Sequence, residues 1–343
     1  MKKVLLPLVL LLGGLFLIVP FASAKMTIKV GHVDRGNRLE SDMEAFASVF
    51  KDLVESQSGG EMEVAIYPAG QLGGAREMVE SVQLGAIQIV PCYTAVASIF
   101  SPKAELPYAP FIFNSVLEAW RVLDGPFGKE LADVIYKESK LRVLAYGDAN
   151  GFRDFYFTKK AVRSPADMKG LKIRSPESKM MFNMLTAFGA NPVVIPWTQL
   201  YMSMQTDVLD GFEVQPAGVV DQKIHETFKQ AILTNHSYDT LYIFANDNWY
   251  KKLTPRQREI VLNAARVGAV VSRGVSENSD LIALKIMKAK GIQIYYPKPQ
   301  EIAEFIKLGQ PAALNSLEKT TGKEWVQKLL RARDEARKEL AVK

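Results

Sequence analysis

The chain has 343 residues, of which 48% are hydrophobic and 23% charged, a composition typical of a globular protein long enough for two domains. Its formal net charge is +6, but basic and acidic residues are interspersed, which argues against a nucleic-acid-binding protein. The single cysteine, Cys92, excludes a disulfide framework and is too far from the N-terminus for lipid attachment. Because its neighbourhood is apolar, we expect Cys92 to be a small core residue.

Residues 1–24 resemble a secretory signal peptide. Lys2 and Lys3 precede an apolar run over 4–19, and Ala22-Ser23-Ala24 forms a cleavage signal. The alternative is an uncleaved anchor, because the 19 uncharged residues from 4 to 22 nearly suffice to span a bilayer. Cleavage is the favoured reading, and it predicts a periplasmic mature protein.

Strand-like and helical patterns alternate along the chain, which is the order of an α/β protein. The strand patterns cover 26–33, 61–68, 87–90, 141–147, 171–174, 192–195, 209–214, 240–246 and 291–297. The helical patterns in the first part of the chain cover 39–56 and 74–84.

The segment from Thr254 to Gly291 predicts one long helix. Thr254 and Gln257 fit a capping box, Pro255 suits the first helical position, and Gly291 follows the expected end. Such a helix would be roughly 54 Å long and should therefore contact both domains. The alternative is two helices that are broken at Gly268 or Gly274.

No pattern of catalytic residues stands out. The three histidines, His32, His225 and His236, lack a second ligand at metal spacing, and the nucleophile elbow, dinucleotide and phosphate-loop motifs are missing. Asp210 and Glu213 lie three residues apart, which is a common and non-specific spacing. These observations favour a binding protein that needs no cofactor over an enzyme.

Two arginines are candidates for holding an anion. The segment GLKIRSP (170–176) reads as a short strand that ends near Arg174, and Arg153 follows the predicted strand 141–147. A buried guanidinium needs water, a carboxylate or a ligand anion as its partner. One bidentate contact with a carboxylate contributes about 1.5–3 kcal/mol, whereas micromolar affinity needs about −8 kcal/mol. We expect closure of the lobes and stacking by aromatic groups such as Phe152, Tyr156, Trp197 or Phe212 to supply the remainder.

Five blocks of the sequence resemble the extracytoplasmic binding proteins of tripartite ATP-independent periplasmic (TRAP) transporters. These are YPAGQLGGAREMVESVQLGAIQI (67–89), ELPYAPFIF (105–113), GFR (151–153), SPADMKGLKIRSP (164–176) and QLYMSMQTDVLDGFE (199–213). Each block alone is a weak signal, but their order and spacing cover nearly the whole mature chain.

The resemblance implies a two-lobed α/β periplasmic binding protein with mixed sheets, an interlobe ligand cleft and a long helix that bridges both lobes. It also implies an organic-acid ligand and a membrane permease as partner. By this resemblance, Arg174 makes the main salt bridge to the ligand carboxylate and Arg153 assists.

Some positions depart from the family pattern. Many members carry Asn or His where this chain has Val214, followed by Gln215, and sialic-acid binders carry acidic residues where it has Ala75 and Tyr93. Sialic acid is therefore not the expected ligand. We expect a smaller or more apolar acid, packed against Tyr93, Phe152 or Phe212, with Gln215 able to turn inward as a donor. Asp239 completes the set of candidate site residues.

The predicted lobe I combines 25–150 with about 236–270, and lobe II combines 151–235 with about 271–343. The hinge crossings are expected at Asp148–Gly151 and Thr234–Ser237. The favoured function is a monomeric solute receptor that delivers its ligand to the permease. The alternatives are a ligand sensor for a membrane receptor, and an exported enzyme with Asp210, Glu213 or Asp239 as acid or base.

Overall fold

The computed structural model describes residues 25–35, 37–158 and 161–341, so the predicted signal peptide lies outside the described residues. The strands are β1 (Met26–Gly31), β2 (Met62–Tyr67), β3 (Ile89–Tyr93), β4 (Leu141–Phe157), β5 (Lys172–Ser175), β6 (Asn191–Val194), β7 (Gly211–Val214), β8 (Gln230–Asn246) and β9 (Gln293–Tyr295). The helices are α1 (Asp42–Gln57), α2 (Ala75–Leu84), α3 (Thr94–Phe100), α4 (Val116–Asp124), α5 (Pro126–Ser139), α6 (Lys179–Ala187), α7 (Leu200–Gln205), α8 (Pro216–Asp221), α9 (Asp247–Lys252), α10 (Pro255–Ala289), α11 (Pro299–Thr321) and α12 (Lys323–Ala341).

The strands form one mixed sheet with two halves. Its order is β2-β1-β3-β8-β4-β7-β5-β6, with β9 paired to β8. In the first half, β1 lies parallel to β2 and β3, and β3 pairs antiparallel with the end of β8. In the second half, β5 lies parallel to β6 and β7, and β7 pairs antiparallel with the end of β4. The antiparallel strands β4 and β8 run through both halves and join them.

These two joining strands are longer than the sequence pattern predicted. Each has 17 residues, whereas the apolar pattern marked only 141–147 and 240–246. The missed parts carry polar residues that are buried, such as Asp148, Arg153 and His236, and these break the alternation expected of a half-buried strand.

The pairing of β4 with β8 is irregular where the strands pass between the halves. The register shifts between Asp148 and Phe152 and again between Arg153 and Phe155. Asn150 and Gly151 have φ angles of 56° and 72° there, in the left-handed region that favours glycine and asparagine. The predicted hinge segment Asp148–Gly151 includes Asn150 and Gly151. The lobe boundaries remain a prediction.

Helix α10 is continuous over 35 residues, so the alternative of two shorter helices is wrong. Its N-terminus has the predicted capping box: the Thr254 hydroxyl accepts from the Gln257 backbone, and the Gln257 side chain accepts from the Thr254 backbone. The helix packs against α1 beside the first half-sheet, and against β4 and α8 towards the second. It therefore spans both halves, as its length predicted.

Two clusters of buried apolar side chains form the core. The larger one packs on the first half-sheet and continues to α6 and α11 on one face of the second half. It includes Cys92, as predicted. The smaller one lies around Tyr156, Phe212 and Phe228. Among the described residues, no helix has the length and apolar character needed to cross a membrane.

Candidate ligand-binding site

A cavity lies between the two half-sheets, at the point where β4 and β8 cross from one to the other. Tyr93 lines it from the first half, Arg174 and Trp197 line it from the second, and Arg153 and Asp239 line it from the crossing strands. Its volume is about 40 Å³. Since one water needs about 10–15 Å³ on this scale, there is room for about three waters.

Arg174 is held in the cavity wall by the local strand geometry. It follows the buried Ile173 in β5 and pairs with Val193 of β6. Its Nε donates to the carbonyl of Ile195 at 2.9 Å, which orients the guanidinium. The side chain is buried, yet among the described residues its two terminal nitrogens have neither a hydrogen-bond partner nor an ion pair. Burial accordingly lowers the pKa of Arg174, because its charge lacks a close anion.

Arg153 lies in the same cavity but its donors are occupied. Its Nε and one terminal nitrogen donate to the Glu213 carboxylate, and that nitrogen also donates to the Glu213 carbonyl at 2.9 Å. The other terminal nitrogen donates to Asp239 at 2.9 Å and to Gln215 at 3.2 Å. A guanidinium has five N–H groups, and five acceptor contacts are present. The expected help of Arg153 in binding the ligand remains a prediction, and the geometry shows a cation already matched by protein groups.

The two carboxylates around Arg153 differ in their electrostatics. Burial by itself would raise the pKa of Glu213, but the charge of Arg153 and the nearby His236 lower it to about 2. Burial raises the pKa of Asp239, and Arg153 offsets only part of this effect. Asp239 also accepts from the Thr94 backbone at 3.1 Å and from the Gln215 amide at 3.1 Å. Asp239 and Gln215 therefore form a wall that Arg153 holds in place.

Four other predicted site residues line the cavity. Tyr93 contributes a phenol whose pKa is raised by burial, so it stays protonated and can donate. Trp197 packs close to Gly218, where an added Cβ would lie 3.2 Å from the indole ring. Val214 and Gln215 lie at the end of β7, and Gln215 is turned inward, as the sequence analysis allowed.

Phe152 and Phe212 require a correction, because neither side chain lines this cavity. Phe152 packs edge-on against Tyr238 at a centroid distance of 5.7 Å, and it points away from the cavity because it precedes Arg153 in β4. Phe212 is fully buried in the smaller core and stacks on Tyr156 at 4.9 Å. Phe212 lies on the same face of β7 as Val214, but two residues further from the C-terminal end of the strand.

The sequence analysis missed Asp34 and Asp42, which line the cavity from the first half-sheet. Asp34 follows β1 closely and Asp42 is the first residue of α1. A sequence signal exists for Asp34, because it directly follows the predicted strand 26–33, as a polar residue at a strand end. Asp42 becomes buried through a contact that is distant in sequence: its Oδ2 accepts from the Asn150 backbone at 3.1 Å.

Two of the three histidines, His32 and His236, have side-chain partners. His32 Nε2 lies 2.8 Å from Glu44, and His236 Nδ1 lies 2.9 Å from the Thr234 hydroxyl. His236 also stacks on Phe155 at 4.2 Å. Within the described ranges, no cluster of three or more His, Cys, Asp or Glu side chains is arranged to hold a metal ion.

Comparison with known protein families places this cavity in context. The family of bacterial extracellular solute-binding proteins, family 7 (DctP), matches residues 37–320. The chain belongs to this family. It is therefore an extracytoplasmic solute-binding protein of the TRAP type, which confirms the resemblance inferred from the five sequence blocks.

Relatives and solved structures of the DctP family agree with the two-lobed α/β fold. The 2,3-diketo-L-gulonate-binding periplasmic protein YiaO of Escherichia coli is 32% identical over 250 residues, covering 72% of this chain and 75% of the relative. The sugar acid-binding protein DctPAm of Advenella mimigardefordensis, solved with galactonate, has a TM-score of 0.86 and 26% identity, covering 91% of this chain and 99% of that one. A TRAP solute-binding protein of Sulfurospirillum deleyianum with bound succinate has a TM-score of 0.82 and 29% identity, covering 89% and 98%. The expected fold class is thereby confirmed.

Proposed function

We propose that the protein binds a carboxylate-bearing organic acid in the cavity between its lobes and delivers it to the membrane permease of a TRAP transporter. The observation that carries this proposal is Arg174, a buried arginine in the cavity wall whose terminal nitrogens have no partner among the described residues. A ligand carboxylate would accept from both nitrogens, which is the geometry that a guanidinium recognises best.

The salt bridge supplies only part of the affinity. A charge-assisted contact contributes about 1.5–3 kcal/mol, against about −8 kcal/mol for micromolar binding. Trp197 and Tyr93 offer aromatic surface on the two sides of the cavity. The remainder therefore comes from apolar contact and from the exclusion of water when the lobes close.

Closure follows from the position of the lining residues. Because both lobes contribute to the cavity, a ligand that touches both has its full set of contacts only in the closed arrangement. Such a ligand stabilises the closed form by its differential affinity. The irregular crossing at Asn150 and Gly151 is the place where β4 is expected to bend.

The named ligands of relatives support an acid. Besides the galactonate, succinate and 2,3-diketo-L-gulonate proteins, a C4-dicarboxylate-binding periplasmic protein of Rhodobacter capsulatus is 29% identical over 279 residues. Periplasmic location after cleavage of residues 1–24, a monomeric state and unchanged release of the ligand belong to the same proposal.

Calorimetry on the purified protein tests the anchor. We first identify the copurifying small molecule by mass spectrometry, and then expect Arg174→Ala to weaken its binding at least tenfold. Arg174→Lys should recover little, because the planar fork is lost. Arg121→Ala is the matched control, since that arginine is 58% exposed and lies outside the cavity. Equal binding by the parent and both Arg174 variants would refute the proposal, and turnover of the bound acid would favour an enzyme instead.

A further inference from the structure

The cavity wall opposite Arg174 in the fold carries two carboxyl groups that the proposed function does not use. Asp34 and Asp42 come from the first half-sheet side, whereas Arg174 comes from β5 of the second. Asp42 is fully buried and Asp34 is 8% exposed. Among the described residues, neither aspartate forms an ion pair, with Arg174 or with any other cation. The cavity thus has a cation from one lobe and an uncompensated acidic pair from the other.

The hydrogen bonds of the pair leave it able to bind more. Asp42 accepts from the Met43 backbone at 2.7 Å and from the Asn150 backbone at 3.1 Å. Asp34 accepts from the Ser41 hydroxyl at 3.0 Å. Each carboxylate has about four lone-pair sites, so both retain acceptor capacity. The side-chain oxygen of Asn150, which lines the same cavity, is buried and has no partner within the described residues.

The two carboxyl groups also influence each other. Burial, followed by the charge of Asp34 and a hydrogen bond to it, raises the pKa of Asp42 well above its ordinary value. Asp42 therefore takes up a proton more readily than an ordinary aspartate does, and the pair offers several acceptor oxygens to the cavity.

We propose that Asp34 and Asp42 select a hydroxylated monocarboxylate and exclude a second ligand carboxylate, an inference that rests on the proposed function of the Arg174 site. A hydroxyl group can donate, which matches the acceptor oxygens of the pair and the free oxygen of Asn150. A second carboxylate in this cavity would face like charge in a partly dehydrated space, and this is destabilising. The expected ligand class is a short aldonic acid. This class differs from the smaller or more apolar acid expected from the sequence, because Asp34 and Asp42 add buried acceptor oxygens to the cavity.

Ligands that differ only in their terminal group test which group the site prefers. Aldonates of four to six carbons are compared by calorimetry with aldarates of the same stereochemistry, in which the terminal CH2OH becomes a carboxylate. The unsubstituted fatty acids of the same lengths complete the set. For the aldonate that binds most tightly, we expect at least tenfold weaker binding of the aldarate and of the fatty acid.

Variants assign the selectivity to the pair. Asp34→Asn and Asp42→Asn keep an oxygen acceptor and remove charge, and together they should reduce the aldonate-to-aldarate ratio below threefold. The matched control is Asp52→Asn, which removes an exposed carboxylate on α1 and should leave the ratio unchanged. Circular dichroism and thermal melts of each variant, compared with the wild type, show whether it folds.

The outcomes distinguish the two proposals. If acids bind and depend on Arg174 but each aldarate equals its aldonate, only this inference fails. A preference for the fatty acid would also overturn it. If no acid in the set binds, the proposed function fails together with this inference.

Discussion

Arg153 and Arg174 are predicted to respond in opposite ways to the same substitution. Arg153→Met removes the cation that neutralises Glu213 and Asp239, both fully buried or nearly so. Removing one partner of a buried ion pair costs about 3–5 kcal/mol, because the remaining charge is left uncompensated. The pKa of Glu213, lowered from 4.5 to about 2, points to a similar size of about 3 kcal/mol. Arg174→Met removes a buried cation that has, among the described residues, one hydrogen bond and no ion pair, so the ligand-free protein should keep its stability.

The pH dependence provides a second check on Arg153. Glu213 has a lowered pKa in the folded state, so its contribution is present above about pH 4.5 and is lost as the pH falls towards 2. The cost of Arg153→Met should therefore be largest near neutral pH and shrink in acid. Urea unfolding of the ligand-free wild type and both Met variants at pH 7 and pH 3, followed by circular dichroism, measures this difference.

One result would refute this reasoning. If Arg153→Met unfolds within about 1 kcal/mol of the wild type at pH 7 and loses ligand binding more completely than Arg174→Met, Arg153 is the ligand anchor. Its bonds to Glu213 and Asp239 would then be incidental.

Three further predictions concern the helix, the hinge and the cavity. Gly268→Ala should destabilise the protein by about 1–3 kcal/mol, because the new Cβ would lie 3.0 Å from the Phe46 ring. Gly274→Ala should instead stabilise it by about 0.5–1 kcal/mol, because its new Cβ would have no atom within 4 Å. Urea unfolding measures both changes in the free energy of unfolding. Burial raises the pKa of Asp148 from 3.8 to about 7, despite hydrogen bonds from Tyr238 and Trp120. Because the folded state holds this proton more tightly than the unfolded state, stability should fall as the pH rises from 4 to 7. Asp148→Asn should flatten that slope in thermal melts recorded across this pH range. Trp197→Ala should weaken ligand binding about tenfold, because about 1–2 kcal/mol of apolar contact with the ligand is lost. Calorimetry measures the affinity, and the melting midpoint of the ligand-free protein should not change.

The parts of the fold that the sequence predicted well are those with local signals. The capping box at Thr254 and the uninterrupted helical pattern specified α10, and the apolar alternation specified the first part of β4 and the last part of β8. The remaining parts of these strands were missed because their buried polar side chains gain partners only in the folded chain. Asp154, for example, accepts from the backbone of Asn235, 81 residues away.

The site shows the same division between local and distant information. Arg174 was recognisable because a charged residue at the end of a short apolar strand is unusual, and Val214 and Gln215 followed from the block that precedes them. Phe212 was misplaced because its distance from the cavity depends on strand register. Asp34 and Asp42 were missed because their burial depends on α1 meeting the crossing segment at Asn150.

The difference between the two arginines comes from topology and not from their own sequence context. Both lie in strands that reach the cavity, and both are buried. Arg153 meets Glu213 because β7 pairs with β4, and it meets Asp239 because β8 crosses beside it; these partners are 60 and 86 residues away. Arg174 is flanked by β6 and β7, and the only described protein acceptor that bonds its guanidinium is the carbonyl of Ile195. Because a matched cation fixes the wall and an unmatched one attracts an anion, the binding function is expected at Arg174, with Arg153 setting the shape that the anion meets.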